Sequence, residues 1–498
     1  MHGTAWSALP FLIVIPIALL TRQVLMGLMV GLIVGSYMLH PSLIGGLSGT
    51  LDYLLKELAL SDNVRLIVFL YGFGSFVGLV RVTGGVTGFA KWMERRIRNA
   101  RSAFVVTWLS SFVTFMAPDF RIITIAPLMK QLFNRFKVPS MKVAFTIDVT
   151  STPFTAVVPL GTVFVGYMVG LIGTSARHYG VSGSAYHLFL LSIPLNFFSF
   201  VILAFGMYQT FASKKIATAD SKTERKLSRG TFAGRLRTTS RLSTVELGSE
   251  LTTPLPRIEQ EFLPDPLEVI TSEAKPRMFN LIAPLAFLLG STFFLTWWDG
   301  HLRASSFWGA LAQADASRAM VEALLATLVL GFIWYLVGRQ PVSRIMSGFL
   351  IGGNEMMNVI LLLVLVWSVS AVSTDLGFST YTERTIAHLV PRAFIAPVLF
   401  LFGCAISYVI GSSFGTWGML LPLGFSLAAA THASPGLIAG AVFASGTFGG
   451  FASPLSDNTV AMATVMKLPL LDYARYKLKP ALWAAAVSTV LYGVAGLI

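Results

Sequence analysis

Long apolar runs separated by short polar links dominate the hydrophobic pattern of this chain. Most runs approach the ~20 residues that a helix needs to cross a bilayer, so the pattern predicts membrane spans. The predicted spans cover residues 6–20, 24–39, 65–80, 185–211, 279–297, 319–337, 345–372 and 476–498. Gly27, Gly31 and Gly35 recur every four residues and predict a face for close helix packing. Residues 41–63 predict a loop with a short amphipathic piece.

Polar, proline-containing segments interrupt two further apolar runs. The first segment is Asp148–Leu160, DVTSTPFTAVVPL, and the second is Gly446–Val460, GTFGGFASPLSDNTV. Lipid cannot satisfy backbone groups that leave a helix, so each segment must be buried in protein or line a watery cavity. We interpret them as the breaks of two discontinuous transmembrane helices, residues 143–171 and 437–466. Such breaks are where transporters bind an ion or a solute.

Two other apolar segments are predicted to be re-entrant hairpins. Residues 103–136 are interrupted at Ala117-Pro118-Asp119 and have basic residues at both ends, which indicates that both ends face the cytoplasm. Residues 393–427 contain the small-residue segment Gly411–Gly418, which we interpret as the tip of the second hairpin.

An internal repeat relates the two halves of the chain. Pro127 and Pro159 are 32 residues apart, as are Pro422 and Pro454, and a shift of 295 superposes the two pairs. Each half is predicted to contain about five transmembrane helices and one hairpin. Because five is odd, the second half would enter the membrane from the opposite side. The predicted fold is therefore an all-α polytopic inverted repeat with discontinuous helices at the midplane. The repeats cover residues 1–213 and 278–498, with a charged cytoplasmic linker at 214–277.

The composition agrees with a membrane protein and excludes several other classes. Hydrophobic residues make up 54% of the 498 residues and charged residues only 12%, against about 25% charged in soluble domains. The net charge of +14 comes from basic residues beside apolar runs, which is typical of cytoplasmic loops and not of nucleic-acid binding. The single cysteine, Cys404, excludes an intrachain disulfide. The lipid bilayer of a cell membrane is thus the expected partner.

Four carboxylates at membrane depth are the main candidates for chemistry: Asp119, Asp148, Glu355 and Asp457. A carboxylate at that depth needs a partner, a bound cation or a proton. Asp148 and Asp457 lie at the two broken helices and are predicted to supply the cation-binding charge, one from each half. Asp119 and Glu355 are candidate proton or charge sites.

The last two acids also have structural explanations. Asp119 could pair with Arg121 at a hairpin tip, and Glu355 could join an interhelical hydrogen bond with Asn354 or Asn358.

Side-chain oxygens near these acids would complete a site for an alkali cation, which prefers hard oxygen ligands. The candidates are Thr150, Ser151, Thr152, Ser412, Ser413, Thr416, Ser453, Ser456, Asn458 and Thr459. The sequence thus predicts sodium at Asp148 and Asp457, with sodium as the coupling ion and no organic cofactor. Gly411–Gly415 matches the Gly-Xaa-Ser-Xaa-Gly pattern of hydrolases, but the required strand before it is missing, so no enzyme is predicted.

Three motifs make the sequence resemble the NhaC-type sodium/proton antiporter family, within the ion-transporter superfamily of elevator-like folds. They are Asp148–Pro153, Gly411–Gly418 and Ser453–Thr459. The chain departs from the family pattern at Gly449-Gly450-Phe451, where the family has Gly-Asp-His.

The resemblance implies ten spans plus two hairpins, a homodimer and a secondary active transporter that exchanges sodium for protons by alternating access. Because the family also includes carriers of organic solutes, the alternative is a sodium- or proton-coupled carrier of an organic acid or amino acid.

Overall fold

A computed structural model describes most of the chain, and all regular structure in the described residues is helical. The described residues are 3–211, 274–302, 304, 306, 309–310, 314–386 and 391–497. Most of the predicted linker lies outside them, so the division into two repeats and a linker stays a prediction.

The first half begins with a 3-10 turn, Ala5–Ala8, and continues as helices that short links join. These helices are α1 (Leu9–Thr21), α2 (Val24–Leu39), α3 (Leu43–Leu58), α4 (Ser61–Val82), α5 (Gly85–Glu94), α6 (Ala100–Leu109), α7 (Ser111–Thr114), α8 (Pro118–Arg135), α9 (Ser140–Val149), α10 (Thr152–Thr155), α11 (Val163–Tyr179), α12 (Ala185–Ser192) and α13 (Phe197–Phe211).

The second half is also a series of helices. These are α14 (Phe279–His301), α15 (Ala316–Val337), α16 (Val342–Glu355), α17 (Met357–Asp375), α18 (Phe378–Tyr381) with a π-helical turn at Thr382–Ile386, α19 (Arg392–Ile410), α20 (Ser413–Thr431), α21 (Pro435–Ala452), α22 (Asp457–Met466) and α23 (Leu470–Ala495).

The predicted all-α polytopic architecture is confirmed. By length and composition, the described residues include eight helices that could cross a membrane, or nine if α12 and α13, bent by 41°, form one span. The first two predicted spans are present as the shorter apolar helices Ala5–Thr21 and Val24–Leu39, each with fewer than 18 residues. The breaks fall where the sequence placed them, at Pro118, at Thr152, at Gly411 and before Asp457. Both arms of the second predicted hairpin, Arg392–Ile410 and Ser413–Thr431, are themselves long and apolar enough to cross a membrane, so the re-entrant course of the hairpins stays a prediction.

The prediction for residues 41–63 was wrong in one respect, because most of this segment is the 16-residue helix α3. Ser42 caps it by accepting a hydrogen bond from the backbone N–H of Gly45 at 3.1 Å. Three glycines and several polar residues lower the hydropathy of α3, which hid it among the apolar runs. A shift of 295 carries α3 onto the region of α16, so the repeat contains this helix as well.

Helix contacts across the molecule occur in matching pairs. The shift of 295 relates α2, α3 and α4 to α15, α16 and α17, and it carries the first residues of α8 and α9 onto those of α20 and α21. Helix α4 packs against α15 and α16, while α17 packs against α2 and α3. Likewise α8 packs against α22, while α20 packs against α11. These reciprocal contacts agree with two related halves, whose inverted orientation in the membrane stays a prediction.

Glycines allow α4 and α16 to approach until their backbones touch. A Cβ atom on Gly78 would overlap the carbonyl oxygen of Gly348, and one on Gly74 would overlap that of Gly352. The predicted glycine face of α2 is also confirmed, because a Cβ on Gly27 would lie 2.6 Å from the carbonyl oxygen of Val14. Small residues at such crossings are typical of packed membrane helices.

We expect Gly78→Ala to separate α4 from α16 and to lower the thermal melting midpoint of the purified protein. Overpacking of this kind costs about 1–3 kcal/mol. Gly290→Ala in α14 is the matched control, because its Cβ would meet nothing within 4 Å. Equal melting midpoints for the two variants in a fluorescence melt would contradict this close contact between α4 and α16.

Candidate functional site

A cavity of about 160 Å³ lies where the hairpins and the second broken helix meet. The break before α8 contributes Asp119 to its wall, and the junction of α16 with α17 contributes Glu355. The tip of the second hairpin adds Ser412 and Ser413, and the break before α22 adds Asp457. Segments that are distant in sequence therefore converge on one polar space.

Local structure places these side chains at helix starts, apart from Glu355, which is the last residue of α16. Pro118 occupies the first turn of α8 after an extended Ala117, so Asp119 lies in that turn. Asp457 is the first residue of α22, after an extended Ser456. Ser412 caps α20 by accepting a hydrogen bond from the N–H of Gly415 at 3.2 Å.

The second hairpin packs tightly against the second break because of glycine. Gly411 has φ of 78°, and a Cβ there would lie 2.6 Å from the carbonyl carbon of Leu455. Ser413 donates a hydrogen bond to the carbonyl oxygen of Gly446 at 2.9 Å. Ser453 donates to the carbonyl oxygen of Tyr408 at 2.6 Å. Hydroxyl groups thus satisfy the carbonyls near the break, and the hairpin tip forms one wall of the cavity.

The cavity carries an excess of negative charge. Glu355 forms an ion pair with Arg81 at 3.0 Å, with 40% of the glutamate side chain and 8% of the arginine side chain exposed. In the part of the chain that the structure describes, no cationic side chain forms an ion pair with Asp119 or Asp457. Both Asp457 and Glu355 are close enough to Asp119 for their charges to repel its own.

Arg121 does not pair with Asp119, contrary to the structural explanation raised from the sequence. Its guanidinium is fully buried and donates to Thr150 Oγ1 at 2.8 Å. Its other acceptors, all in the first arm of the hairpin, are Thr107 O, Ser110 Oγ and Thr114 Oγ1. Arg121 therefore ties the first hairpin to the first broken helix and leaves the carboxylate of Asp119 facing the cavity.

Asp148 lies outside the cavity and already has a cationic partner. Its Oδ2 atom accepts hydrogen bonds from Tyr473 at 2.8 Å and from Lys477. Both Asp148 and Lys477 have no exposed side-chain surface. Lys477 also donates to Thr459 Oγ1 at 2.8 Å.

Lys477 was missed from the sequence for two reasons. Only carboxylates were taken as candidate charges, and the last span was predicted to begin at residue 476, which put Lys477 at the edge of the membrane, whereas the helix begins at Leu470. The available signal was a lysine inside an apolar run, with Tyr473 four residues earlier on the same helix face.

The other predicted oxygen ligands divide into two groups. Ser456 and Asn458 line the cavity with the residues named above. The remaining hydroxyls lie behind it and belong to Thr150, Ser151, Thr152, Thr416, Ser453 and Thr459. Thr150, Ser151 and Thr416 donate to carbonyl oxygens of their own helices, whereas Ser453 and Thr459 donate to the carbonyl oxygens of Tyr408 and Ser453. Thr152 joins the two breaks, because its Oγ1 accepts a hydrogen bond from Asn458 at 2.8 Å. Sodium at both Asp148 and Asp457 stays a prediction, and the two acids lie in different surroundings.

The cavity differs from a chelating metal centre. Among the described residues, no group of three or more His, Cys, Asp or Glu side chains could hold a metal ion. The three carboxylates instead border an open space, which suits a weakly held ion that must enter and leave.

The helical membrane fold and the acidic cavity at its helix breaks define a secondary transporter. Residues 161–497 match the model of the Na+/H+ antiporter family, and the chain belongs to that family. It is therefore a secondary transporter of antiporter type and a multi-pass membrane protein, as the sequence predicted, and it is not an enzyme.

Known proteins with similar sequence or fold span nearly the whole chain. A relative from Haemophilus influenzae, described as an uncharacterized protein, is 25% identical over 516 residues, which cover 99% of this chain and 91% of the relative. The YdaH transporter of Alcanivorax borkumensis has 14% identity and a TM-score of 0.58, with 90% of this chain and 88% of that chain covered.

MtrF of Neisseria gonorrhoeae, described as illuminating a class of antimetabolite efflux pumps, has 14% identity and a TM-score of 0.60 over 91% of this chain and 84% of its own. At such low identity, these two likenesses show the fold alone.

We expect Arg121→Met to lower both the melting midpoint and the transport rate, because it removes charge-assisted hydrogen bonds that join the hairpin to the broken helix. Hydrogen bonds to charged groups contribute about 1.5–3 kcal/mol each. Arg98→Met is the control, because Arg98 is exposed. Wild-type stability and transport in Arg121→Met would contradict this structural role.

Proposed function

We propose that this protein is an NhaC-type antiporter that exchanges sodium for protons, and that the cavity bordered by Asp119, Glu355 and Asp457 binds the cation. The observation that carries this proposal is the charge of the cavity. Three carboxylates border it, and Arg81 compensates only Glu355. A carboxylate at membrane depth needs a counter-charge or a proton, and the exchanged ions would supply both in turn.

Sodium and protons compete for the same carboxylate oxygens, and this competition by itself can couple the exchange of the two ions. A protonated carboxyl group attracts sodium far less than a carboxylate does, so one site can carry sodium in one direction and protons in the other. Ser412, Ser413, Ser456 and Asn458 add neutral oxygens to the cavity wall. The volume of about 160 Å³ leaves room for an ion with some of its water, since one water occupies about 30 Å³ in the liquid.

The position of the cavity supports transport by alternating access. Its walls come from both halves of the chain and from both hairpins. Relative movement of one group of helices past the other could therefore open it to either side. Elevator-like movement and a homodimer follow only from the family resemblance, and both stay predictions.

The alternative is a sodium- or proton-coupled carrier of an organic acid or amino acid. An organic anion would meet the excess negative charge of the cavity and would need cations bound first. The charge distribution therefore favours exchange of inorganic cations over this alternative.

Purified protein in liposomes should move protons when a sodium gradient is applied, and the flux should saturate with sodium. A pH-sensitive dye inside the vesicles reports the protons. Sodium-driven uptake of a labelled organic acid or amino acid without proton movement would favour the alternative. An ohmic current that does not saturate would contradict carrier transport altogether.

We expect Asp457→Asn and Asp119→Asn each to raise the half-saturating sodium concentration at least ~10-fold, equivalent to about 1.4 kcal/mol. Asparagine keeps the shape of the side chain and removes only its charge. Asp52→Asn in α3 is the matched control, because Asp52 is exposed and lies outside the cavity wall. If both cavity variants fold and keep the sodium dependence of the wild type, the cavity is not the cation site.

A further inference from the structure

The ion pair of Asp148 with Lys477 is the second concentration of charge near the helix breaks, and the exchange just proposed does not use it. Asp148 lies in the last turn of α9, directly before the first break, whereas Lys477 lies in α23, near the end of the chain. Both side chains are fully buried. Burying two charges is expensive even when they pair, and apolar residues of similar size often serve stability as well. A structural role alone therefore gives a weak reason for this pair.

The surroundings of Lys477 Nζ have the composition of a site for a monovalent cation. Two oxygens contact the ammonium, Asp148 Oδ2 and Thr459 Oγ1. Two aromatic rings complete the enclosure, with the centroid of Phe451 at 5.2 Å and that of Tyr473 at 4.8 Å. Aromatic faces attract cations at such distances.

Two further oxygens near the helix breaks remain unused. Asp148 Oδ1 and Asn458 Oδ1 are buried and have no hydrogen-bond partner among the described residues. Buried acceptors without partners are uncommon and need an explanation. Asn458 directs its amide nitrogen to Thr152, beside the first break, so both oxygens belong to the region where the two breaks meet. Asp148 therefore keeps one carboxylate oxygen that the ammonium of Lys477 does not satisfy, whereas the Asn458 oxygen belongs to a residue of the cavity wall.

We propose that Lys477 is a tethered cation, whose ammonium group permanently occupies the cation position of the first broken helix. The exchangeable cation would then bind only in the cavity at Asp457. This second statement rests on the function proposed above, whereas the occupancy of Asp148 by Lys477 does not. The sequence predicted one sodium in each half; with Lys477 in place, one of the two positions is filled from within the chain.

Removing the ammonium should convert its position into a site for a free ion. We expect Lys477→Met, built in an Asp457→Asn background that disables the main cavity, to gain a sodium-dependent rise in melting midpoint. Melting in sodium chloride is compared with melting in choline chloride, since choline is a much larger monovalent cation than sodium. Lys477→Arg should show no such rise, because it keeps the positive charge. The double change Asp148→Asn with Lys477→Met should show none either, because it also removes the carboxylate that would attract the sodium ion.

Equal melting of folded Lys477→Met in the two salts would overturn the proposal, because a purely structural ion pair predicts destabilisation that sodium does not relieve. If Lys477→Met cannot be purified, sodium flux with Asp457 intact provides the second test. Asp148→Asn should raise the half-saturating sodium concentration at least ~10-fold, because it leaves the ammonium unbalanced beside Thr459, two residues from Asp457.

The double change Asp148→Asn with Lys477→Met should restore that concentration to within about twofold of the wild type, equivalent to ~0.4 kcal/mol. If Asp148 binds the transported sodium directly, the double variant stays as impaired as Asp148→Asn, and the proposal is overturned. Failure of the proposed function is a different result, namely wild-type sodium dependence in Asp457→Asn.

Discussion

The structure depends on one constraint, which is that every backbone group released at a helix break must find a partner inside the protein. Four breaks lie within the membrane fold, and lipid offers them no hydrogen bonds. At the second pair of breaks, Ser453 and Ser456 donate to the carbonyl oxygens of Tyr408 and Gly450 near helix ends, and Gly411 lets the hairpin tip touch the chain at Leu455. At the first pair, Arg121 performs the corresponding task through its guanidinium. The polar residues that make a transport site possible are thus also the residues that hold it together.

The buried charges follow the same rule, because each needs a partner inside the protein. Arg121 donates from both terminal nitrogens to hydroxyl and carbonyl oxygens, Lys477 donates to Asp148 and Thr459, and Arg81 pairs with Glu355. Each cation at depth therefore faces a defined set of acceptors. Of the four carboxylates that the sequence placed at membrane depth, only Asp119 and Asp457 have no cationic partner among the described residues, and both border the cavity. The chain consequently concentrates its uncompensated charge in one cavity, where an exchanged ion can provide the balance.

Much of the fold could be predicted from the sequence, because the apolar runs and their polar interruptions are local signals. The bounds of α2 follow directly from its apolar run, and the breaks before Asp119 and Asp457 follow from proline, glycine and polar residues that a continuous span does not tolerate. The repeat spacing of 295 was visible for the same reason. Helix α3 was missed, because its glycines and polar residues resemble those of a loop.

Which charges meet was decided only by the tertiary structure. The sequence placed Asp148 and Asp457 in equivalent broken stretches and so predicted equivalent roles. Folding brings Lys477, 329 residues further along the chain, against Asp148, and it brings Asp119 and Glu355 to the cavity of Asp457. Periodicity carries no information about such pairings, since they depend on how helices distant in the chain are arranged in space. The sequence by itself thus determined a broken-helix transporter, and the packing of α23 decided that Asp148 has a cationic partner, whereas Asp457 has none among the described residues.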